Sequence, residues 1–380
     1  MRFAASLLLL ASLGPTFAQG LVTKVIASPA GDHSLQPNWS TTPDGVLVLS
    51  WIEPGKAGAY SLRYALRRGS AWSEAHTVVA NRRFFRHPAE APEVIELGEH
   101  QWTAHWVEMP SDSSEAEYLY VSASTDGLKW TEPAIAHKDR SPVEHGLVSM
   151  IGSGSNEASL FWLTTPKGED GPAYLMRTVV NAAGKEIKEE RLDSDVCSCC
   201  PTAVAKTSAG FIVAYRDHTP QDVRDIAVLR FEKGQWSPSK IVHADNWKLN
   251  ACPINAAAIA ARDNHVAIAW FTGADNSPKV QIAFSEDNGA NFGKPVLVST
   301  GHAKGYASIV LDSDGRAIVS WLENTSVLVR KIAPSGAPGP VLEVAKGGEG
   351  LGYPRLGHSA DGIFITWGGE KVQTAQLVSH

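Results

Sequence analysis

Seven times along the chain a short apolar run ends on an aromatic residue. The runs are VLVLSW at Trp51, WTAHW at Trp106, LFW at Trp162, IVAY at Tyr215, VAIAW at Trp270, AIVSW at Trp321 and IFITW at Trp367. Successive aromatics stand 46 to 56 residues apart. Most runs follow a small turn such as PDG, SAG, SDG or ADG. Nearly continuous apolar character is what a strand needs when both of its faces are covered. A strand-type repeat of this length predicts a β-propeller. Each run is expected to be the second strand of a four-stranded blade, giving an all-β fold of seven blades, with six as the alternative. After Trp367 only KVQTAQLV remains to make a third strand, while LVTKVIA near the N-terminus has no neighbour to pair with. Pairing these two completes the last blade and closes the ring, which removes free edges.

A weaker repeat marks the other side of each blade. Residues 285–292 read SEDNGANF, with QIAF before and KPVLV after. A serine, an aspartate and a glycine at this spacing close a tight turn through side-chain-to-backbone hydrogen bonds and a positive φ. Residues 124–130 (STDGLKW) are a copy one residue short, and GSAW at 69–72 and GQW at 234–236 are stripped copies. The pattern S-x-D-x-G-x-x-[W/F] resembles the Asp-box of sialidases and other BNR-repeat propellers. It is a turn and packing device and is assigned no chemistry.

The first 18 residues, MRFAASLLLLASLGPTFA, have one arginine, an apolar centre and a small residue at Ala18. They are expected to be a secretory signal, leaving 19–380 as a single propeller domain and a secreted or periplasmic destination. No other stretch has the length and apolarity of a membrane span. The net charge of −6 offers no basic footprint, so no nucleic-acid partner is expected.

In a propeller the loops leading into first strands, and those between second and third strands, share one face. That face carries ligand and catalytic residues. Glu53, Glu108, Arg216, Thr272 and Glu323 follow the second strands; Gln36, Glu90, Glu144, His145, Tyr353 and Arg355 precede first strands. All four cysteines fall there too, Cys197, Cys199 and Cys200 before blade 4 and Cys252 before blade 5. In an exported protein an even count favours disulfides, with Cys252 and one member of the run as the obvious pair. The alternative is a soft-metal site for copper or zinc, its thiolates joined by His145.

Taken together, EHG at 144–146, CSCCPT at 197–202, YRD at 215–217, RDI at 224–226, CPIN at 252–255 and the Asp-box make the chain resemble exported, sialidase-like BNR-repeat proteins. FRHP at 85–88 resembles the sialidase F-R-I-P, although it stands after the first Trp turn. The resemblance implies a glycoside hydrolase of exo-α-sialidase type acting on a small anionic sugar. Arg216, Arg224 and Arg355 would grip a carboxylate, Glu90 would be the acid, and Tyr353 with Glu144 the nucleophile pair. A structural role for Arg216 and Arg224 within one blade stays open. So does a non-catalytic propeller that binds a metal at the cysteines, or a glycan or protein on its loops.

Overall fold

The computed structural model describes residues 20–111, 114, 116–154, 156–168, 171–347 and 351–380; the expected signal at 1–18 lies outside them. Seven antiparallel sheets follow one another along the chain. Their innermost strands are Leu35–Thr41, Glu93–Gly98, His145–Gly154, Ala203–Thr207, Ala257–Arg262, Ala303–Leu311 and Arg355–Ser359. We number the blades 1 to 7 in that order. The ring closes as the unpartnered segment predicts: Leu21–Ile26 lies antiparallel on Gln373–Ser379, in register from Leu21↔Ser379 to Ile26↔Thr374.

Every repeated aromatic sits on a second strand and is buried, six of them at 1% exposure or less. An indole buried between sheets still needs an acceptor for its N–H. Trp51 donates to Glu53 Oε1 at 2.7 Å, Trp106 to Glu108 Oε1 at 2.5 Å and Trp321 to Glu323 Oε2 at 2.9 Å. In Trp270 the acceptor is Asp245, and in Trp162 it is Thr178. Glu53, Glu108 and Glu323 are therefore anchors of the blades, not the open top-face groups that their positions suggested. Glu53 and Glu108 also pair with Arg63 and Arg82.

The opposite face carries the short turns. Gly289, at φ +80°, donates its N–H to Ser285 Oγ, and Asp287 accepts from the Asn291 N–H. The turn at 124–130 repeats this with Ser124, Asp126 and Gly127.

The innermost strands surround a channel of about 190 Å³, to which Trp39, Glu93, Met150, Val204, Ile259, Ile309 and Arg355 each contribute from a different blade. At its mouth four non-glycine residues take left-handed backbone conformations where the chain enters a blade: Gln36 (φ 51°), Leu147 (59°), Ile254 (51°) and Tyr306 (57°). Such conformations persist only when surroundings over-determine them. Here each is braced by a contact with another blade. Gln36 Nε2 donates to the carbonyls of Phe85, His87 and Glu90, and the Leu147 N–H donates to Glu90 Oε2. Tyr353 donates its hydroxyl to the Ile254 carbonyl, and the Tyr306 N–H donates to Asn255 Oδ1 at 2.7 Å.

Candidate functional site

A cavity of about 460 Å³ opens on the top face, off the channel axis, where loops of blades 2 to 5 meet. Phe85, His87 and Glu117 come to it from blade 2, Glu144 and Gly146 from blade 3, Cys199 and Arg224 from blade 4, and Cys252 from the approach to blade 5. Three carboxyl groups gather at its blade 2–3 side. Glu144 lines the wall and accepts from Thr165 Oγ1 at 3.4 Å. Glu117 lines the floor, almost completely buried. Glu90 lies behind it with 2% exposure.

Gly146 explains how they fit. A methyl group on its Cα would stand 2.8 Å from Glu117 Oε2 and 3.2 Å from Glu90 Oε2. Any side chain here would push these carboxyl ends aside, and the left-handed turn at Leu147 aims its N–H at Glu90. Burial raises Glu90 from 4.5 to about 8, against the pull of the Leu147 and Val148 N–H groups and of Arg355. Burial raises Glu117 to about 9, helped by the charges of Glu144 and Glu90. At neutral pH both hold protons. A protonated carboxyl next to a second carboxyl in a cleft is the equipment of general acid catalysis.

Glu144 lines this cavity as a candidate should. Glu90 does not reach it; it supports the floor from beneath. Glu117 was missed. It stands nine positions after the end of the second strand of blade 2, Gln101–Glu108, and the position rule that picked out Glu108 applies to it equally.

The three arginines do not converge. Arg216 is buried and saturated by backbone: Nε and Nη2 donate to the Asn255 carbonyl at 3.1 Å, Nη1 to that of Arg224 at 2.6 Å and Nη2 to that of Phe271 at 2.9 Å. Its guanidinium also stacks on Trp247, and it ties blade 4 to blade 5. A structural role within the blades describes it, with carbonyls in place of the expected aspartates. Arg224 lines the cavity, donating from Nε to the Leu249 carbonyl and from Nη1 to Cys197 Sγ at 3.2 Å. Arg355 lies in the channel beside Tyr353.

Tyr353 lines the channel, whereas Glu144 lines the off-axis cavity. The Tyr353 ring packs on Tyr306 at 4.1 Å, its hydroxyl is committed to Ile254, and burial pushes its ionisation far up. No Tyr–Glu nucleophile pair is formed there.

The cysteines meet at the blade 4–5 junction, one beat apart. Cys199 and Cys252 are joined by a disulfide, with Cα atoms 5.9 Å apart. Cys197 and Cys200 are free and buried, their sulfurs 3.3 Å from each other. The hydrogen bond with Cys200, and the charges of Arg216 and Arg224 nearby, hold the Cys197 thiol below its ordinary value, while burial pushes Cys200 up. Among the described residues the metal-competent atoms that converge here are sulfurs alone. His145 points elsewhere: its Nδ1 faces the Glu117 and Val143 carbonyls and its ring stacks on His137 at 4.0 Å. Two of the four sulfurs are already in a bridge and the histidine is turned away, so the copper or zinc set does not fit as drawn.

A second concavity, about 880 Å³, lies beyond Arg86. Lys56, Arg83 and Arg86 line it together with Tyr60, Tyr118 and Tyr120. Arg86 stacks over Tyr60 at 5.2 Å and Arg82 over Tyr120 at 5.3 Å. The segment 85–88 thus divides a cationic, aromatic groove from the carboxyl-lined cavity.

No family model matches the chain, and no curated protein matches it. Among solved structures it is similar to a lectin from Burkholderia pseudomallei, at 11% identity and a TM-score of 0.59, over 92% of this chain and 99% of that one. It is similar to the α-L-arabinanase of Penicillium chrysogenum complexed with arabinobiose, at 11% identity and 0.54, over 94% and 98%. A third is the α-L-arabinofuranosidase of Fusarium graminearum bound to an iminosugar inhibitor, at 14% and 0.51, over 96% and 98%. At these identities the likeness is one of fold: this chain is a seven-bladed propeller of the architecture found in these sugar-active and sugar-binding proteins.

Proposed function

We propose that the protein is an exported glycoside hydrolase acting on an anionic sugar, with Glu117 as general acid and Glu144 as its carboxylate partner. The observation that carries this reading is the Glu117–Glu144 pair in one cavity, with Glu117 protonated up to about 9. An acid must hold its proton until the glycosidic oxygen leaves, and its partner must be ionised to meet the positive charge developing on the sugar ring. Arg224, on the facing wall, supplies the cation for the substrate's negative group. Gly146 and Glu90 are positioning residues that hold Glu117 in place.

The test is release of sugar from sialosides and uronic-acid glycosides by the purified protein. Turnover is expected on at least one class, falling roughly a hundredfold or more in Glu117→Gln and Glu144→Gln. Equal turnover in both variants would remove these residues from the chemistry. The arginine–tyrosine groove favours a second reading, a propeller that binds an anionic glycan without cleaving it. Absence of turnover together with calorimetric binding that is lost in Arg86→Ala would select it.

A further inference from the structure

We propose that the four cysteines form a thiol–disulfide exchange relay, in which the buried Cys197–Cys200 dithiol resolves the rim bridge Cys199–Cys252 and thereby reduces a small external disulfide. The geometry is that of a nucleophile, a bridge and a resolving thiol in a row. Cys197 Sγ stands 3.8 Å from Cys199 Sγ and 3.3 Å from Cys200 Sγ. All three sulfurs lie within 4.8 Å of one another. Arg224 Nη1, 3.2 Å from Cys197 Sγ, places a positive charge where the attacking thiolate needs it. Structural cysteines in an apolar core have no such partner. The two ends of the relay differ in access: Cys197 and Cys200 are at 1% and 0% exposure, whereas Cys252 is exposed and Cys199 half-buried on the cavity wall.

Each step balances. The Cys197 thiolate attacks Cys199 Sγ; the Cys197–Cys199 bond forms, the Cys199–Cys252 bond breaks, and its electron pair leaves on Cys252 as an exposed thiolate. Cys200 then attacks Cys197 Sγ, giving a Cys197–Cys200 disulfide and freeing Cys199, which takes the proton that Cys200 gives up. Cys252 attacks the external disulfide, forming a mixed disulfide and releasing one thiol. Cys199 displaces the second thiol and the rim bridge is restored. Overall, the buried dithiol loses two electrons and two protons, and one small disulfide becomes two thiols. The buried pair is thus an electron store reached only through the bridge, and none of the relay's steps uses Glu117 or Glu144, although Arg224 and the cavity wall are shared with the sugar site.

The first half of the relay is testable in the wild-type protein without any reductant. The native protein is incubated with N-ethylmaleimide, which captures exposed thiols irreversibly, and its linkages are then mapped by mass spectrometry of unreduced peptides. Expected are loss of most of the Cys199–Cys252 linkage, label on Cys252 and a new bridge from Cys197 to Cys199 or Cys200. An intact Cys199–Cys252 linkage, with or without label on Cys197 and Cys200, overturns the relay, and so does label on Cys252 without a new bridge. In Cys197→Ala the label on Cys252 is expected to disappear; its persistence overturns the assigned nucleophile. Mixing wild-type protein with oxidised glutathione is then expected to release two thiol equivalents of glutathione and leave both bridges formed, and release of none refutes the reductase half.

Discussion

Replacing Glu90 by glutamine is expected to stabilise the protein, by an amount that grows with pH. Glu90 is 2% exposed and accepts the Leu147 N–H, while its Oε1 has no hydrogen-bond partner. In the unfolded chain the carboxyl ionises near 4.5, but in the fold burial keeps it protonated up to about 8. Between those values the folded state holds one proton more than the unfolded state. The stability is therefore fully present below 4.5 and is lost progressively as pH rises towards 8. Each pH step of one across that window costs roughly 1.4 kcal/mol, so the wild type gives up about 3 kcal/mol by pH 7 and on the order of 5 by pH 9. Glutamine has the shape of the protonated acid and does not ionise. Urea unfolding of both proteins at pH 5, 7 and 9 reads the difference. The gap is expected to be under ~1 kcal/mol at pH 5 and to open in favour of Glu90→Gln at pH 7 and 9. A gap that does not change with pH, or a variant less stable than wild type at pH 9, would mean that Glu90 is ionised in the fold. The assignment of Glu117 as a neutral acid beside it would then lose its basis.

Three further outcomes follow from the same geometry. Arg216→Met leaves the carbonyls of Arg224, Asn255 and Phe271 without their buried donor and is expected to cost about 3–5 kcal/mol in urea unfolding; a loss below ~1 kcal/mol would show that the guanidinium is dispensable to the blade 4–5 junction. Gly146→Ala puts a methyl 2.8 Å from Glu117 Oε2 and is expected to depress sugar release far more than it lowers stability, which falls by about 1–3 kcal/mol; unchanged kinetics would show that Glu117 needs no such floor. Deleting Leu21–Ile26 unpairs Gln373–Ser379 and is expected to convert a single sharp thermal transition into a broad one at lower temperature, with association through the exposed edge visible in sedimentation; a sharp, unshifted transition would refute the closure.

The fold was legible because its signal is repeated. One aromatic on a second strand means little, but seven in step leave room for few architectures, and the unpaired LVTKVIA pointed to its partner across the whole chain. The site was legible only in part, since it is made where loops from four blades converge and no local pattern encodes that convergence. Glu144 and the cysteine pairing were visible because each lies at the start of a blade. Glu117 was not, because it sits in a loop where one more carboxylate looks like solvated surface. Arg216 misled for a physical reason: five donors serve a ligand carboxylate or a set of backbone carbonyls equally well, and only the path of blade 5 decides which. Leu147 gave no warning either, because leucine has no preference for the left-handed region that the Glu90 contact imposes on it.

The closing pair Leu21↔Ser379 ties the first of the described strands to the last. Roughly 350 residues separate them, so at about 5–20 residues per second the first strand waits on the order of 20 to 70 s for its partner. Six blades can form during that interval, each from contacts within about fifty residues, but the seventh cannot. The ring is then an open arc with two unsatisfied ends, and its final step is among the most non-local that a chain of this length can make. Chaperones that cover the waiting strand, or anything that shortens the wait, should act on the yield of this protein while leaving the stability of the finished ring untouched.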